Sequence, residues 1–147
     1  MMHLSRHFTL GEFTASGIAA RQGIDNTPSQ AIVAELKRTA ALMEQVRALL
    51  SVAITVTSGY RCGALNKLVG SKPTSKHTQG LACDFKAPGY GDPLSVCKAI
   101  ERSDISFGKL ILEFYTPDGD GWAHIEVGSS RKVFTINRQG VFTGLHI

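Results

Sequence analysis

A histidine and an aspartate, His77 and Asp84, stand six residues apart in Ser75-Lys76-His77-Thr78-Gln79-Gly80-Leu81-Ala82-Cys83-Asp84-Phe85. Gly80 lies between them and lets the backbone turn. A second histidine, His124, follows in Trp122-Ala123-His124-Ile125-Glu126-Val127. Two imidazoles and one carboxylate are three of the four ligands that a tetrahedral zinc ion accepts, and a fourth position left to water marks a catalytic site rather than a structural one. Taken alone, the histidine–aspartate spacing fits a loop histidine beside a surface acid equally well, so the elements around it have to decide.

Those elements read as follows. Thr9 and Glu12 have the spacing of a helix capping box, with Phe8 and Phe13 placed to staple the chain entry. Thr27 is an N-cap candidate, Pro28 suits the first helical position and Gln30 completes the box. The helix that follows carries an apolar stripe at Ile32, Val33, Leu36, Ala40, Met43, Val46, Leu49 and Leu50, which reads as core. Ser51 to Ser58 is β-branched and predicts a strand that delivers Ser58-Gly59-Tyr60-Arg61 at its end. A second capped helix runs from Asp92-Pro93 to about Arg102 and makes Cys97 a small buried hydrophobe.

In the last third, alternation places Leu110, Leu112 and Phe114 on one face and Lys109, Ile111, Glu113 and Tyr115 on the other. Ala123, Ile125 and Val127 likewise oppose Trp122, His124 and Glu126. A hairpin closed by the six-residue loop Thr116 to Gly121 would pair Tyr115 with Trp122 and set Glu113 directly across from His124. Their Cβ atoms would then lie roughly 4.5–5.5 Å apart. A carboxylate there can hold water on a metal. A last strand, Val133 to Ile136, and a turn near Gly140 close the chain.

The 147 residues fit one domain, 1–147, with a real core. A net charge of +4 favours anionic partners, but the basic residues are scattered and no nucleic-acid motif accompanies them. Cys62, Cys83 and Cys97 form neither CxxC pairs nor an even set, which argues against a disulfide framework. The N-terminus shows no apolar signal segment and no run is long enough to span a membrane. The expectation is a protein made in the cytoplasm, without membrane insertion.

With these pieces placed, the sequence resembles peptidase family M15, the zinc D-Ala-D-Ala carboxypeptidase and L-alanyl-D-glutamate endopeptidase superfamily. It looks closest to its compact bacteriophage and prophage branch. The likeness rests on Ser58-Gly59-Tyr60-Arg61, the S-x-H-x-x-G-x-A-x-D run from Ser75 to Asp84, and Trp122-Ala123-His124, and extends to the Phe8–Phe13 opening and the Ile24–Pro28 helix entry. It implies an α+β fold, a small antiparallel sheet packed on helices, with one zinc ion on the open face of the sheet. It also implies His77, Asp84 and His124 as ligands and Arg61 as contact to the polarised carbonyl or a substrate carboxylate. Ser75, Tyr60 and Trp122 are the implied substrate contacts, and a monomer acting on peptidoglycan stem peptides is the implied protein.

The general base is open. Many members carry an acid three residues before the last histidine, where this chain has Gly121. Glu113 answers to an arrangement with the acid on the preceding strand, and Asp118, Asp120 and Glu126 compete with it. Two rivals from other classes stand beside the peptidase. One is a metal-binding module on the same fold without catalysis. The other is a cysteine amidase using Cys83 or Cys62 with His77, although Cys83 falls on the core side of Leu81-Cys83-Phe85.

Overall fold

A computed structural model describes residues 2–146. The chain begins with two short helices, α1 (Leu10–Thr14) and α2 (Gly17–Gln22), followed by the long α3 (Gln30–Leu50). The capping box at Thr9 and Glu12 forms with both of its hydrogen bonds. Phe8 and Phe13 meet edge to face at 5.9 Å, so the staple forms too. Entry into α3 differs from the expected one. Asp25 accepts the Thr27 N–H in a local turn, and Ser29, past Pro28, caps the helix by accepting from Ile32 N.

The buried stripe of α3 is Leu36, Thr39, Ala40, Leu42, Met43, Val46 and Leu50. Leu49 is instead 40 % exposed. The 3.6-residue period that runs through Met43 and Val46 reaches Leu50 and leaves its neighbour to solvent.

Next come β1 (Thr55–Ser58), the short α4 (Gly63–Leu68), β2 (Ala82–Lys86) and α5 (Pro93–Arg102). The helix at Asp92-Pro93 starts as expected, with the Asp92 carboxylate accepting from Ser95 N. Four strands complete the chain: β3 (Lys109–Glu113), β4 (Trp122–Glu126), β5 (Lys132–Asn137) and β6 (Gly140–Thr143). They form one six-stranded sheet in the order β1-β2-β4-β3-β5-β6. The α+β architecture is as the sequence implies; the sheet is mixed, because β5 runs parallel to β3 while every other pair is antiparallel.

One face of the central strands is core. Cys83, Phe85, Leu110, Leu112, Ala123 and Ile125 are all fully buried there, and α5 packs across β3 and β4 and against α3. Apolar area withdrawn from water on this face is the main source of stability. The opposite face of β2, β4 and β3 carries Asp84, His124, Glu126 and Glu113. Among the described residues no helix is long and apolar enough to cross a membrane.

Register corrects one expectation. Glu113 pairs with Trp122, and Ile111 is the residue opposite His124. The connection therefore runs from residue 114 to 121 rather than over six residues. Its cause is Phe114, which has φ +53 and leaves the strand one residue after Glu113. Phe114 is accordingly 42 % exposed and not part of the core face.

Candidate metal centre

His77 sits in a 3₁₀ turn, Lys76–Gln79, that Ser75 caps by accepting from His77 N. Gly80 ends the turn at φ +73. A side chain there would press on Ile32 and Leu36 of α3, so glycine is demanded both by conformation and by close packing. Thr39 of α3 donates to Gly80 O at 2.6 Å and anchors the turn to the core. Three residues into β2, Asp84 lies directly opposite His124 on the neighbouring β4. A turn and two paired strands thus bring the three side chains together.

One donor atom from each of His77, Asp84 and His124 lies within 4.8 Å of the other two, and all three residues are buried. Asp84 Oδ1 stands 2.8 Å from His124 Nδ1 and 3.3 Å from His77 Nε2. The remaining ring nitrogens are held from behind. His77 Nδ1–H donates to Gly59 O at 2.6 Å. His124 Nε2–H donates to Glu126 Oε2 at 2.7 Å. With these nitrogens held from behind, His77 Nε2 and His124 Nδ1 both point at Asp84 Oδ1 and are the two that would take a metal ion in place of a proton.

The electrostatics ask for a cation. Burial alone would raise the Asp84 pKa, yet hydrogen bonds from His124 and His77 hold it well below the carboxylate range. Burial opposes charge on His124 as well, but hydrogen bonds to Asp84 and Glu126, and the nearby charges of Asp84 and Glu113, push it up to about 10. Glu113 is shifted opposite to Asp84. Burial and the negative charge of Asp84 raise it, and the two histidines recover only part of that.

Glu113 Oε1 is 3.8 Å from His124 Nδ1. Its strand offset is thus bridged by side-chain length. Gly121, where an acid is absent from the expected position, has φ +91, and a Cβ there would lie 2.7 Å from the Phe114 carbonyl carbon and run into Glu113 O. No side chain fits at 121. The neighbouring strand supplies the acid instead.

Arg61 lines the same cleft, of about 580 Å³, as the three residues and Glu113. Its guanidinium is held by neutral groups: Nε by Asn66 Oδ1 at 3.2 Å, and the two Nη by Ser58 and Ser71 hydroxyls at 3.4 and 3.2 Å. None of these partners is a carboxylate, so its charge stays available to a ligand. Burial lowers the Arg61 pKa, and Asp84 and Glu113 counter that. The loop around it is fixed by Asn26, whose side chain bonds Thr14 O, Tyr60 O and Cys62 N.

Residues 6–126 match the family model described as Peptidase M15. The chain belongs to the M15 peptidase family. No curated protein matches its sequence. The M15 membership makes the chain a hydrolase of the metallopeptidase kind, and the residues present fit the metal such an enzyme needs: two buried imidazoles, each held from behind by an oxygen acceptor, and one carboxylate.

Of the other sequence candidates, Ser75 and Trp122 line the cleft, while Tyr60 borders an adjoining hollow of about 370 Å³ that shares Arg61, Asp84 and Trp122 with it. Glu126 lies in the cleft but is engaged behind His124. Asp118 and Asp120 are exposed in the 114–121 loop, outside the cleft lining. Cys83 is fully buried on the core face and burial pushes its thiol far up; Cys62 spends its backbone N–H on Asn26. Both ring nitrogens of His77 are engaged, by Gly59 O and by Asp84, so neither thiol has that histidine free as a base. The sequence reading missed Gly59, Asn66, Ser71 and Phe114. A backbone carbonyl such as that of Gly59 leaves no residue-type signal, whereas Asn66, five positions after an SGYR arginine, is a polar residue within that arginine's reach along a short helix.

Proposed function

We propose that this M15 peptidase is zinc-dependent and hydrolyses an amide bond in peptidoglycan stem peptides, as a D-Ala-D-Ala carboxypeptidase or an L-Ala-D-Glu endopeptidase of the phage lytic type. The observation that carries the reading is the convergence of His77, Asp84 and His124 donor atoms within 4.8 Å, with a pKa-raised carboxylate alongside. His77, Asp84 and His124 would hold the ion. When bound, zinc supplies Lewis acidity that lowers the pKa of water and polarises a carbonyl.

The chain's own groups do the rest. Glu113, with its affinity for protons raised by burial and by Asp84, accepts a proton from the attacking water and returns it to the leaving amine. Arg61, with no carboxylate partner among the described residues, offers a fork to the developing oxyanion or to a substrate carboxylate. Glu126, accepting from His124 Nε2–H, orients the ring so that Nδ1 is the nitrogen that would meet the ion. Lys72, Lys76 and Lys109 line the same cleft and complement a peptide rich in carboxylates. The substrate and the monomeric state are part of the proposal, as is access to the wall after release from the cytoplasm.

The test is mass spectrometry of purified peptidoglycan after digestion, with and without a chelator. New stem-peptide ends that vanish with chelator and return with zinc are expected. Intact stem peptides beside full zinc occupancy would favour the non-catalytic metal-binding module.

A further inference from the structure

Resting on the peptidase reading above, we propose that Phe114 is a substrate-binding residue. With Trp122 it forms an aromatic wall of the cleft that packs against the small aliphatic side chain flanking the scissile bond.

Alternation along β3 would bury Phe114 with Leu110 and Leu112, yet it is 42 % exposed while they are fully buried. The reversal comes from its backbone, at φ +53, a conformation that a bulky side chain rarely adopts and that glycine or asparagine would adopt more readily. The ring is not repaid by core packing. Its partner is Trp122, at 5.6 Å between centroids and 37° between planes, and both residues line the cleft together with Glu113 and His124. Gly121, bare against the Phe114 and Glu113 backbone, lets β4 begin close beneath Phe114 and so brings Trp122 to it. A strained, exposed aromatic kept beside a candidate general base is the pattern in which local stability is given up for ligand contact.

The remainder of the lining points to the ligand class. Arg61, Ser71, Lys72, Ser75, Lys76 and Lys109 make much of the rim polar or cationic. The two rings, with Val69 and Ile111, are the apolar counterpart, suited to the methyl of an alanine residue in a peptide whose carboxylates face the cations.

Trp122 is the single tryptophan of the chain, so its emission reports on this wall directly. The probe is a soluble stem pentapeptide, L-Ala-D-Glu through D-Ala-D-Ala, titrated into zinc-loaded Glu113→Gln protein while Trp122 emission is followed. In parallel, KM, kcat and the melting temperature are measured for the protein carrying Glu113 and for Phe114→Gly, Phe114→Asn and Phe114→Tyr. A saturable emission change is expected. Phe114→Gly and Phe114→Asn should melt at or above the parent temperature while KM rises roughly fivefold or more, with kcat changed less, and Phe114→Tyr should restore KM. Lower melting temperatures for the glycine and asparagine variants with unchanged KM would make the ring structural and overturn the proposal. Cleavage with unchanged KM and a silent Trp122 would sink the wall alone. Neither cleavage nor an emission change in any titration would sink the peptidase reading and the wall with it.

Discussion

The two faces of β2, β4 and β3 are nearly equally buried and held by different forces. Phe85 and Ile125 are fully buried on one face, and their strand neighbours Asp84 and His124 are 6 % exposed on the other. Burial therefore does not separate core from site. On the core face, contacts are non-directional and neighbours such as Leu110, Leu112 and Ala123 share the load. On the site face the clustered polar groups are tied at fixed distances: Asp84 to two histidines, His124 to Glu126, and His77 to Gly59 O. A core substitution should thus cost stability in proportion to volume lost, whereas a substitution of equal size on the other face should cost function with little change in volume.

The largest effect should come from His124→Ala, which removes a donor and strands the Asp84 and Glu126 carboxylates that face it. Zinc content read by elemental analysis should fall to background and hydrolysis with it; a variant that retains zinc would remove His124 from the metal cradle. Glu113→Gln is nearly isosteric and should keep zinc while lowering kcat about 10²–10⁴-fold. Near-normal turnover would move the base role to another acid. Phe85→Ala tests the opposite face. It should cost about 3–5 kcal/mol in denaturant unfolding, with zinc affinity of the folded fraction unchanged, and a loss of affinity would show that the two faces are coupled.

Glu126→Gln should weaken zinc binding by about 10–100-fold in a competitive chelator titration. An unchanged affinity would reduce Glu126 to a solvated acid. The smallest effect belongs to a site remote from both faces. Burial raises the Glu44 pKa, but hydrogen bonds from Ser5 and from the His7 side chain and backbone outweigh it and bring the group from 4.5 to about 2. A folded-state pKa below the unfolded one adds stability above pH 4.5 that is lost as pH falls toward 2. Glu44→Gln should flatten that part of the stability–pH curve by lowering the plateau above pH 4.5.

Local chemistry made much of this legible. The capping box at Thr9, the proline-led start of α5 and the alternation in β3 and β4 are set by residues close in sequence, whose hydrogen bonds and periodicities are self-contained. The same alternation put His124, Glu126 and Glu113 on one face. It failed at Phe114, because a positive φ flips the side chain without changing the hydrophobic pattern, and it failed for the hairpin register, because the length of the connection depends on where that flip occurs. The start of α3 was misplaced for a related reason: Thr27 and Ser29 are both competent caps, and only Asp25, by taking the Thr27 N–H, decides between them.

By itself the sequence determined the inventory: two histidines, an aspartate, an arginine behind a Ser-Gly-Tyr turn, and strands patterned to bury one face. Only the tertiary structure decided that Asp84 would stand opposite His124, that Gly59 and Glu126 would hold the two rings from behind, and that Glu113 would reach the site from two pairs farther along. Cross-strand pairing and backbone carbonyls act between residues far apart in the chain, and their directional contacts leave no periodic trace in residue order.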